Sequence, residues 1–122
     1  MNINGSTDIY GLFGYPIKHT SSPAMHNIGF QKLGINAVYL PFEVKPEDLS
    51  QALAALPALG IKGVNLTIPH KEACLEFLDD LSPEARLIGA VNTVVAEGGK
   101  LTGYNTDALG FITSLREDLE FD

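Results

Sequence analysis

A lysine follows a proline at the start of a predicted helix, in a segment whose residue types could transfer a proton. Residues 63–67 have the β-type pattern of a strand, and Pro69 suits the first position of a helix, where its missing N–H costs nothing. Lys71 then falls in the first turn, where the positive end of the helix dipole disfavours the ammonium form. Such a lysine could exchange a proton with a reacting oxygen. The alternative is an exposed lysine beside Glu72, whose carboxylate offsets the dipole.

Other polar side chains recur near the ends of the predicted strands, where a parallel sheet opens its ligand crevice. They are Thr20, Ser22, Thr67, Asn92, Thr93, Asn105, Thr106 and Asp107. Several have a local explanation, because Thr20 could close a hydroxyl turn, and Ser22 and Asp107 could each cap a helix. Asn92 is harder to explain, since asparagine fits poorly among apolar strand residues unless its amide is bonded.

The elements that must position these residues alternate between strand and helix. We predict strands over residues 8–14, 37–44, 63–67, 90–96 and 100–104, the last two joined by a turn at 97–99. We predict helices from Pro23 to about 33–34 with Ser22 as N-cap, at 49–56, from Pro69 onward, at 83–88 and at 108–119. Pro41 inside the second strand indicates a sheet edge. This order predicts an α/β three-layer sandwich, with a mostly parallel, mixed sheet and helices on both faces.

The composition bounds the class of protein. A chain of 122 residues with 45% hydrophobic and 19% charged residues is typical of one soluble domain, and it contains no apolar run of membrane-spanning length. Residues 1–6 do not form a secretory signal, so we expect a cytoplasmic protein. The net charge of −7, without a basic cluster, disfavours nucleic acids and anionic membranes as partners. A small anionic molecule remains possible if local hydroxyls, amides and one or two lysines hold it.

Three further observations limit the kinds of chemistry that the sequence could support. Cys74 lies in an apolar helical run and is predicted to be a core residue rather than a nucleophile. His19, His26 and His70 lack the spacing of metal ligands, so we expect no metal site. No G-x-G-x-x-G occurs, so the sequence offers no dinucleotide-binding fingerprint of its own.

Taken together, four motifs resemble the substrate-binding half of the shikimate dehydrogenase family. Residues 11–17 and the loop at 19–27 resemble the family's opening strand and S-x-S-P loop, and residues 65–71 are similar to its N-x-T-x-P-x-K signature. Residues 89–93 and 103–107 match the two remaining polar motifs, in the family's order. The resemblance implies that residues 1–122 form the substrate-binding domain of a shikimate dehydrogenase, and that NADP is bound by a Rossmann domain absent from this chain.

The resemblance also implies an activity, the reversible reduction of 3-dehydroshikimate to shikimate with NADPH in aromatic amino acid biosynthesis. Lys71 and Asp107 would be the catalytic pair, with Lys71 as proton donor and acceptor. Thr20 and Ser22 would bind the substrate carboxylate, and Thr67 and Asn92 the ring hydroxyls. A neighbouring Asp107 would favour the ammonium form of Lys71, whereas the helix dipole disfavours it. The sequence therefore does not decide whether the pKa of Lys71 is raised or lowered.

Two departures from the family pattern leave alternatives open. The family usually has serine at the position of Thr20, so a quinate/shikimate dehydrogenase of broader specificity is one alternative. The sequence stops about where the cofactor domain would begin, so we expect the isolated domain to be inactive. A free-standing, non-catalytic binding module is the other alternative. In the isolated domain, apolar residues such as Leu119 and Phe121 would lack the neighbours that a cofactor domain provides, and they would favour self-association.

Overall fold

A computed structural model describes residues 2–18 and 20–106, which form a mixed sheet with helices on both faces. The elements are β1 (Asp8–Gly14), α1 (Ser22–Leu33), β2 (Ala37–Glu43), α2 (Leu49–Leu59), β3 (Ile61–Leu66), α3 (His70–Ala73), β4 (Asp80–Leu81), α4 (Pro83–Ile88), β5 (Thr93–Glu97) and β6 (Lys100–Tyr104). A 3₁₀ turn at Pro46–Asp48 leads into α2, and another at Cys74–Phe77 follows α3. The predicted helix at 108–119, as well as His19, Asp107, Leu119 and Phe121, lies outside the described residues.

The six strands are ordered β2-β1-β3-β5-β6-β4. Strand β1 pairs in parallel with β2 and β3, and β4 pairs in parallel with β6, whereas β5 runs antiparallel to β3 and β6. The mostly parallel, mixed sheet is therefore confirmed. The edge position that Pro41 predicted for β2 is also confirmed. The opposite edge is β4, whose two residues are too short to leave a pattern in the sequence.

The two faces of the sheet are covered by different helices, as the alternation of side chains along β1 requires. Ile9 and Phe13 belong to a core that includes Leu49, Leu53 and Leu56 of α2. Tyr10 and Leu12 belong to a second cluster, which includes Tyr39 and Phe30 of α1. The predicted arrangement of three layers is thus confirmed. Cys74 is fully buried in the α2 core, as predicted.

Two predicted helix starts are wrong by one residue. Ser22 is the first residue of α1 rather than its N-cap, and Ser21 takes the cap position without a side-chain hydrogen bond to the helix. The backbone N–H of Ser22 instead donates to Oγ1 of Thr20 at 3.2 Å, so the hydroxyl turn considered for Thr20 replaces the cap. Pro69 likewise precedes α3 rather than opening it.

The helix that carries Lys71 is short. It has only four residues and passes directly into a 3₁₀ turn. Lys71 lies in its first turn, as predicted, and the α-helical dipole near it is that of a single turn.

The predicted strand at 90–96 also begins too early. Strand β5 starts at Thr93, so Asn92 precedes the strand and does not interrupt its apolar pattern. In the part of the chain that the structure describes, no helix has the length and apolar character needed to cross a membrane.

Candidate functional site

Four neighbouring strands have an end on the same side of the sheet, across the strand direction, and this side is the sheet edge at which the site lies. Strands β1 and β3 end there, at Gly14 and Leu66. Because β5 is antiparallel to both β3 and β6, its first residue, Thr93, lies opposite Asn65 on one side and Tyr104 on the other. The loops that follow β1, β3 and β6 and the segment that precedes β5 therefore come together, although they are far apart in the sequence.

Three of the predicted substrate-binding residues share a pocket of about 320 Å³ at this edge. Thr20, Ser22 and Thr67, each of which has a hydroxyl group, line this pocket. The remaining lining residues are Leu12, Pro16, Ile17 and Lys18. Hydroxyls and one ammonium group above an apolar wall suit a small anion with a hydrocarbon body. The sequence prediction missed Lys18, whose only signal was a cation two residues before Thr20.

Backbone hydrogen bonds hold the two loops of this pocket against each other. The N–H of Thr67 donates to the carbonyl oxygen of Phe13 at 3.0 Å, and that of Tyr15 donates to Ile68 O at 3.1 Å. Both loops contain a cis proline, Pro16 in one and Pro69 in the other. A Cβ added at Gly14 would collide with Cγ2 of Thr67, so glycine is needed for this close approach.

Lys71 and Asn92 are tied to the same edge by their backbones. The N–H of Val91 donates to the carbonyl oxygen of Lys71 at 2.8 Å, and the N–H of Leu66 donates to Asn92 O at 2.8 Å. Thr67 directly follows Leu66, so α3, the end of β3 and the start of β5 form one unit. The side chains of Lys71 and Asn92 are half-buried beside the pocket and are not part of its lining. Asp107, the other predicted catalytic residue, lies outside the described residues.

The carboxamide of Asn92 makes three hydrogen bonds, in agreement with the expectation that its amide is used. Its Oδ1 accepts hydrogen bonds from the hydroxyl of Thr93 at 3.0 Å and from the backbone N–H of Thr106 at 3.1 Å. Its Nδ2 donates to Oγ1 of Thr106 at 2.8 Å. The neighbouring Asn105 is buried, and its Nδ2 donates to Ala90 O at 3.0 Å, so this part of the 103–107 motif has a structural role.

Asn92 also lies at one end of a longer chain of hydrogen bonds that the sequence did not predict. Nδ2 of Asn65 donates to Oγ1 of Thr93 at 3.1 Å, and the hydroxyl of Tyr39 donates to Oδ1 of Asn65 at 2.8 Å. The available signal was Asn65 itself, a polar residue inside an otherwise apolar strand. Tyr39 left no signal, because its partner lies 26 residues away in the sequence.

Two side chains near the site, those of Cys74 and His70, are fully buried. Burial raises the pKa of the Cys74 thiol from 9.0 to about 11, so the thiol stays protonated and is a poor nucleophile at neutral pH. The imidazole of His70 is fully buried, and its Nε2 lies 2.6 Å from the carbonyl oxygen of Val44. Among residues 2–18 and 20–106, no group of three histidine, cysteine or acidic side chains is placed to hold a metal ion.

A larger depression, of about 630 Å³, lies on the α1 face of the sheet. Its wall includes Tyr10, Phe30, Tyr39 and Asn65, but none of the predicted site residues. Size alone would favour this depression as the functional site. The cluster of hydroxyls next to Lys71 favours the smaller pocket, because recognition of a small polar ligand depends on convergent polar groups.

Comparison with known proteins identifies the family of the chain. Residues 12–94 match the family described as the shikimate dehydrogenase substrate binding domain. Shikimate dehydrogenase (NADP(+)) of Desulforamulus reducens is 52% identical over 120 residues, which are 98% of this chain and 41% of that protein. The chain thus spans about two fifths of the length of its curated relative.

Two solved structures have the same fold. The first is shikimate 5-dehydrogenase from Listeria monocytogenes in complex with shikimate and NAD, which is 44% identical with a TM-score of 0.86 over 97% of this chain and 41% of that one. The second is the ligand-free 5-ketofructose reductase of Gluconobacter sp. strain CHM43, which is 38% identical with a TM-score of 0.84 over 93% and 41% of the two chains. On the family match and these identities, the chain belongs to the shikimate dehydrogenase substrate-binding domain family.

Proposed function

We propose that residues 1–122 are the substrate-binding and catalytic domain of an NADP-dependent shikimate dehydrogenase. The complete enzyme would reversibly reduce the ketone of 3-dehydroshikimate to shikimate. The observation that carries this proposal is the placement of Thr20, Ser22 and Thr67 in one pocket beside Lys71 and Asn92. A ring that bears a carboxylate and several hydroxyls needs this combination of donors and acceptors.

Thr20 and Ser22 would bind the substrate carboxylate. The oxygen of the Thr20 hydroxyl already accepts the N–H of Ser22, so its own hydrogen is available to the anion. The ammonium group of Lys18 lines the same pocket and adds a favourable charge. Thr67, which lines the pocket, and Asn92, whose backbone is bonded to Leu66, would bind the ring hydroxyls.

Lys71 would exchange the proton of the reaction. NADPH, bound outside this chain, supplies the hydride, and the carbonyl oxygen must then gain a proton to become the hydroxyl of shikimate. Lys71 gives that proton in the forward direction and takes it back in the reverse direction. Asp107 would hold the lysine in place and accept a hydrogen bond from a substrate hydroxyl.

A second candidate is a reductase for a different polyhydroxylated ketone. One observation favours it, since a protein named 5-ketofructose reductase has the same fold at 38% identity. An uncharged sugar would not use Lys18, Thr20 and Ser22 as a carboxylate site. Quinate, which like shikimate is a carboxylate, would use them, and the extra methyl of Thr20 lies where the two acids must be distinguished.

A chimera tests these assignments directly. In this chimera, the chain replaces the matching 120 residues of the Desulforamulus reducens relative, so that the rest of that protein is present. We expect the chimera to oxidise shikimate with NADP⁺, and we expect the isolated chain to show no NADPH-dependent turnover. A folded chimera that binds NADP⁺ but turns over no shikimate would support the non-catalytic module, whereas preferential reduction of 5-ketofructose would support the second candidate.

The location and self-association of the protein are further parts of the proposal. A cytoplasmic location agrees with a single cysteine that is buried and unpaired with any other thiol.

We expect the isolated chain to self-associate through apolar residues near its end, such as Leu119 and Phe121. Sedimentation over a wide concentration range tests this, and a monomeric profile that Leu119→Lys leaves unchanged would contradict it.

A further inference from the structure

A chain of side-chain hydrogen bonds crosses three strands and connects Tyr39 to the candidate site. It runs from Tyr39 on β2 to Asn65 on β3, then to Thr93 on β5, and ends at Asn92 beside the pocket. Its distances lie between 2.8 and 3.1 Å, so every link has good hydrogen-bond geometry.

The direction of each hydrogen bond in this chain is determined. The backbone N–H of Thr106 can only donate, so the atom of Asn92 that faces it is Oδ1. The Thr93 hydroxyl also faces this oxygen and must donate to it, and its own oxygen then accepts from Nδ2 of Asn65. The remaining oxygen of Asn65 therefore requires a donor, and the hydroxyl of Tyr39 is that donor.

Tyr39 is held firmly enough to serve as the fixed end of the chain. The residue is only 3% exposed, and its ring stacks on His26 with 4.2 Å between the centroids. The side chain of Asn27 binds both the N–H and the carbonyl of Tyr39, at 2.8 and 2.9 Å. Burial raises the pKa of the Tyr39 hydroxyl to about 12, so it remains a donor throughout the neutral and mildly alkaline range.

We propose that Tyr39 is a positioning residue, whose hydroxyl acts through Asn65 and Thr93 to hold the carboxamide of Asn92 in one orientation. In this orientation, Oδ1 of Asn92 accepts two hydrogen bonds and one hydrogen of Nδ2 binds Thr106. Within the described residues, the other hydrogen of Nδ2 has no acceptor, so Asn92 meets a ligand as a donor. The consequence for shikimate rests on the proposed function, in which Asn92 binds a ring hydroxyl.

Removal of the Tyr39 hydroxyl would loosen Asn92 step by step. In Tyr39→Phe, Oδ1 of Asn65 loses its donor inside the protein, which is an unfavourable state. Without that donor the Asn65 carboxamide is free to flip, which turns its Oδ1 toward the Thr93 hydroxyl. The Thr93 hydroxyl then donates to Asn65 and no longer to Asn92. Asn92 keeps only its contacts with Thr106, and its carboxamide becomes more mobile.

The first test measures Asn92 directly, by NMR of the unliganded chain. We expect the side-chain amide hydrogens of Asn92 to exchange with water roughly five to ten times faster in Tyr39→Phe, the factor that corresponds to one lost hydrogen bond. Tyr10→Phe is the matched control, because Tyr10 lies on the same face and packs against Phe30. Unchanged exchange in Tyr39→Phe, or an equal increase in Tyr10→Phe, would overturn the proposal.

The second test uses the chimera and separates positioning from general stability. We expect Tyr39→Phe and Thr93→Val each to raise KM for shikimate roughly fivefold with little change in kcat, and Thr93→Ser to restore KM. Thr93→Ser behaving like Thr93→Val would overturn the proposal, since the serine keeps the hydroxyl. If the unsubstituted chimera does not turn over shikimate, the proposed function fails, while the NMR measurement still decides the role of Tyr39.

Discussion

The imidazole of His70 donates a hydrogen bond from Nε2 to the carbonyl oxygen of Val44, across a distance of 2.6 Å. Val44 in turn donates its backbone N–H to the carbonyl oxygen of Gly14 at 2.9 Å. The side chain next to Lys71 is therefore connected to the ends of both β2 and β1. Because a carbonyl can only accept, the imidazole carries a hydrogen on Nε2. Its Nδ1 is buried and has no hydrogen-bond partner among residues 2–18 and 20–106.

This relationship predicts a stability difference between two substitutions at His70. His70→Ala removes a buried ring and leaves Val44 O without its donor, so we expect the free energy of unfolding to fall by about 2–4 kcal/mol. In His70→Gln the side-chain amide can take the place of Nε2, so the loss should be smaller. Urea unfolding of the chain measures both values, and a glutamine variant as unstable as the alanine variant would show that the hydrogen bond contributes little.

Lys71 is predicted to affect the chemical step. In the chimera, Lys71→Ala should lower kcat by roughly 10² or more, the usual effect of losing a positioned acid–base group. Lys62→Ala is a suitable control, because Lys62 is an exposed cation on β3 and lies outside the pocket. Steady-state kinetics decide between two roles, since a rise in KM at unchanged kcat would assign Lys71 to binding instead.

Local residue patterns were sufficient to predict most of the fold. Pro41 indicated the edge strand, the turn at 97–99 indicated the hairpin, and Leu49, Leu53 and Leu56 indicated the buried face of α2. Each of these signals depends on residues close together in the sequence. The strand β4 was missed because two residues carry no periodicity, and its pairing with β6 depends on contacts about 20 residues away.

The site was less predictable than the fold, because its contacts are not local. Thr20, Ser22 and Thr67 were predicted from motifs, and the structure brings them into one pocket. The position of Lys71 in the first turn of a helix was predicted, but the four-residue length of α3 was not. The hydrogen bond between Tyr39 and Asn65 depends on the lateral order of the strands, which the sequence pattern does not specify.

Thr20 is predicted to bind the carboxylate through its hydroxyl rather than through its methyl. In the chimera, Thr20→Val should raise KM for shikimate roughly tenfold or more, because a hydrogen bond to a charged group is lost at nearly constant volume. Thr20→Ser should keep KM within a factor of about three, since the hydroxyl remains. The ratio of kcat/KM for shikimate and quinate in both variants shows whether the methyl contributes to specificity, and equal KM values for valine and serine would remove Thr20 from the carboxylate site.

Binding to the isolated chain should be weak and confined to the sheet edge. One wall of the pocket is expected to come from outside the chain, so a bound carboxylate would remain largely in water, where its ionic contacts contribute little. NMR titration with shikimate should shift the signals of Thr20, Ser22, Thr67, Lys71 and Asn92. Shifts restricted to α2, on the opposite face of the sheet, would contradict the site assignment.

The raised pKa of Cys74 predicts how stability depends on pH in the alkaline range. Burial raises this pKa from 9.0 to about 11, so between these values the folded chain binds the thiol proton more tightly than the unfolded chain does. The unfolded state then holds fewer protons, and the free energy of unfolding must fall as the pH rises through this window. Well below pH 9 the thiol is protonated in both states and has no effect on the pH dependence.

The contribution of the thiol can be isolated by comparison with Cys74→Ala. The variant is expected to be less stable at pH 8, because Cys74 is fully buried and its removal leaves a small cavity. Between pH 8 and pH 10.5, however, the stability advantage of the unsubstituted chain should shrink by on the order of 1–2 kcal/mol, since only that chain has the thiol to ionise. Urea unfolding of both proteins at the two pH values measures this difference. An advantage that stays constant would mean that the thiol titrates normally and that its surroundings admit water.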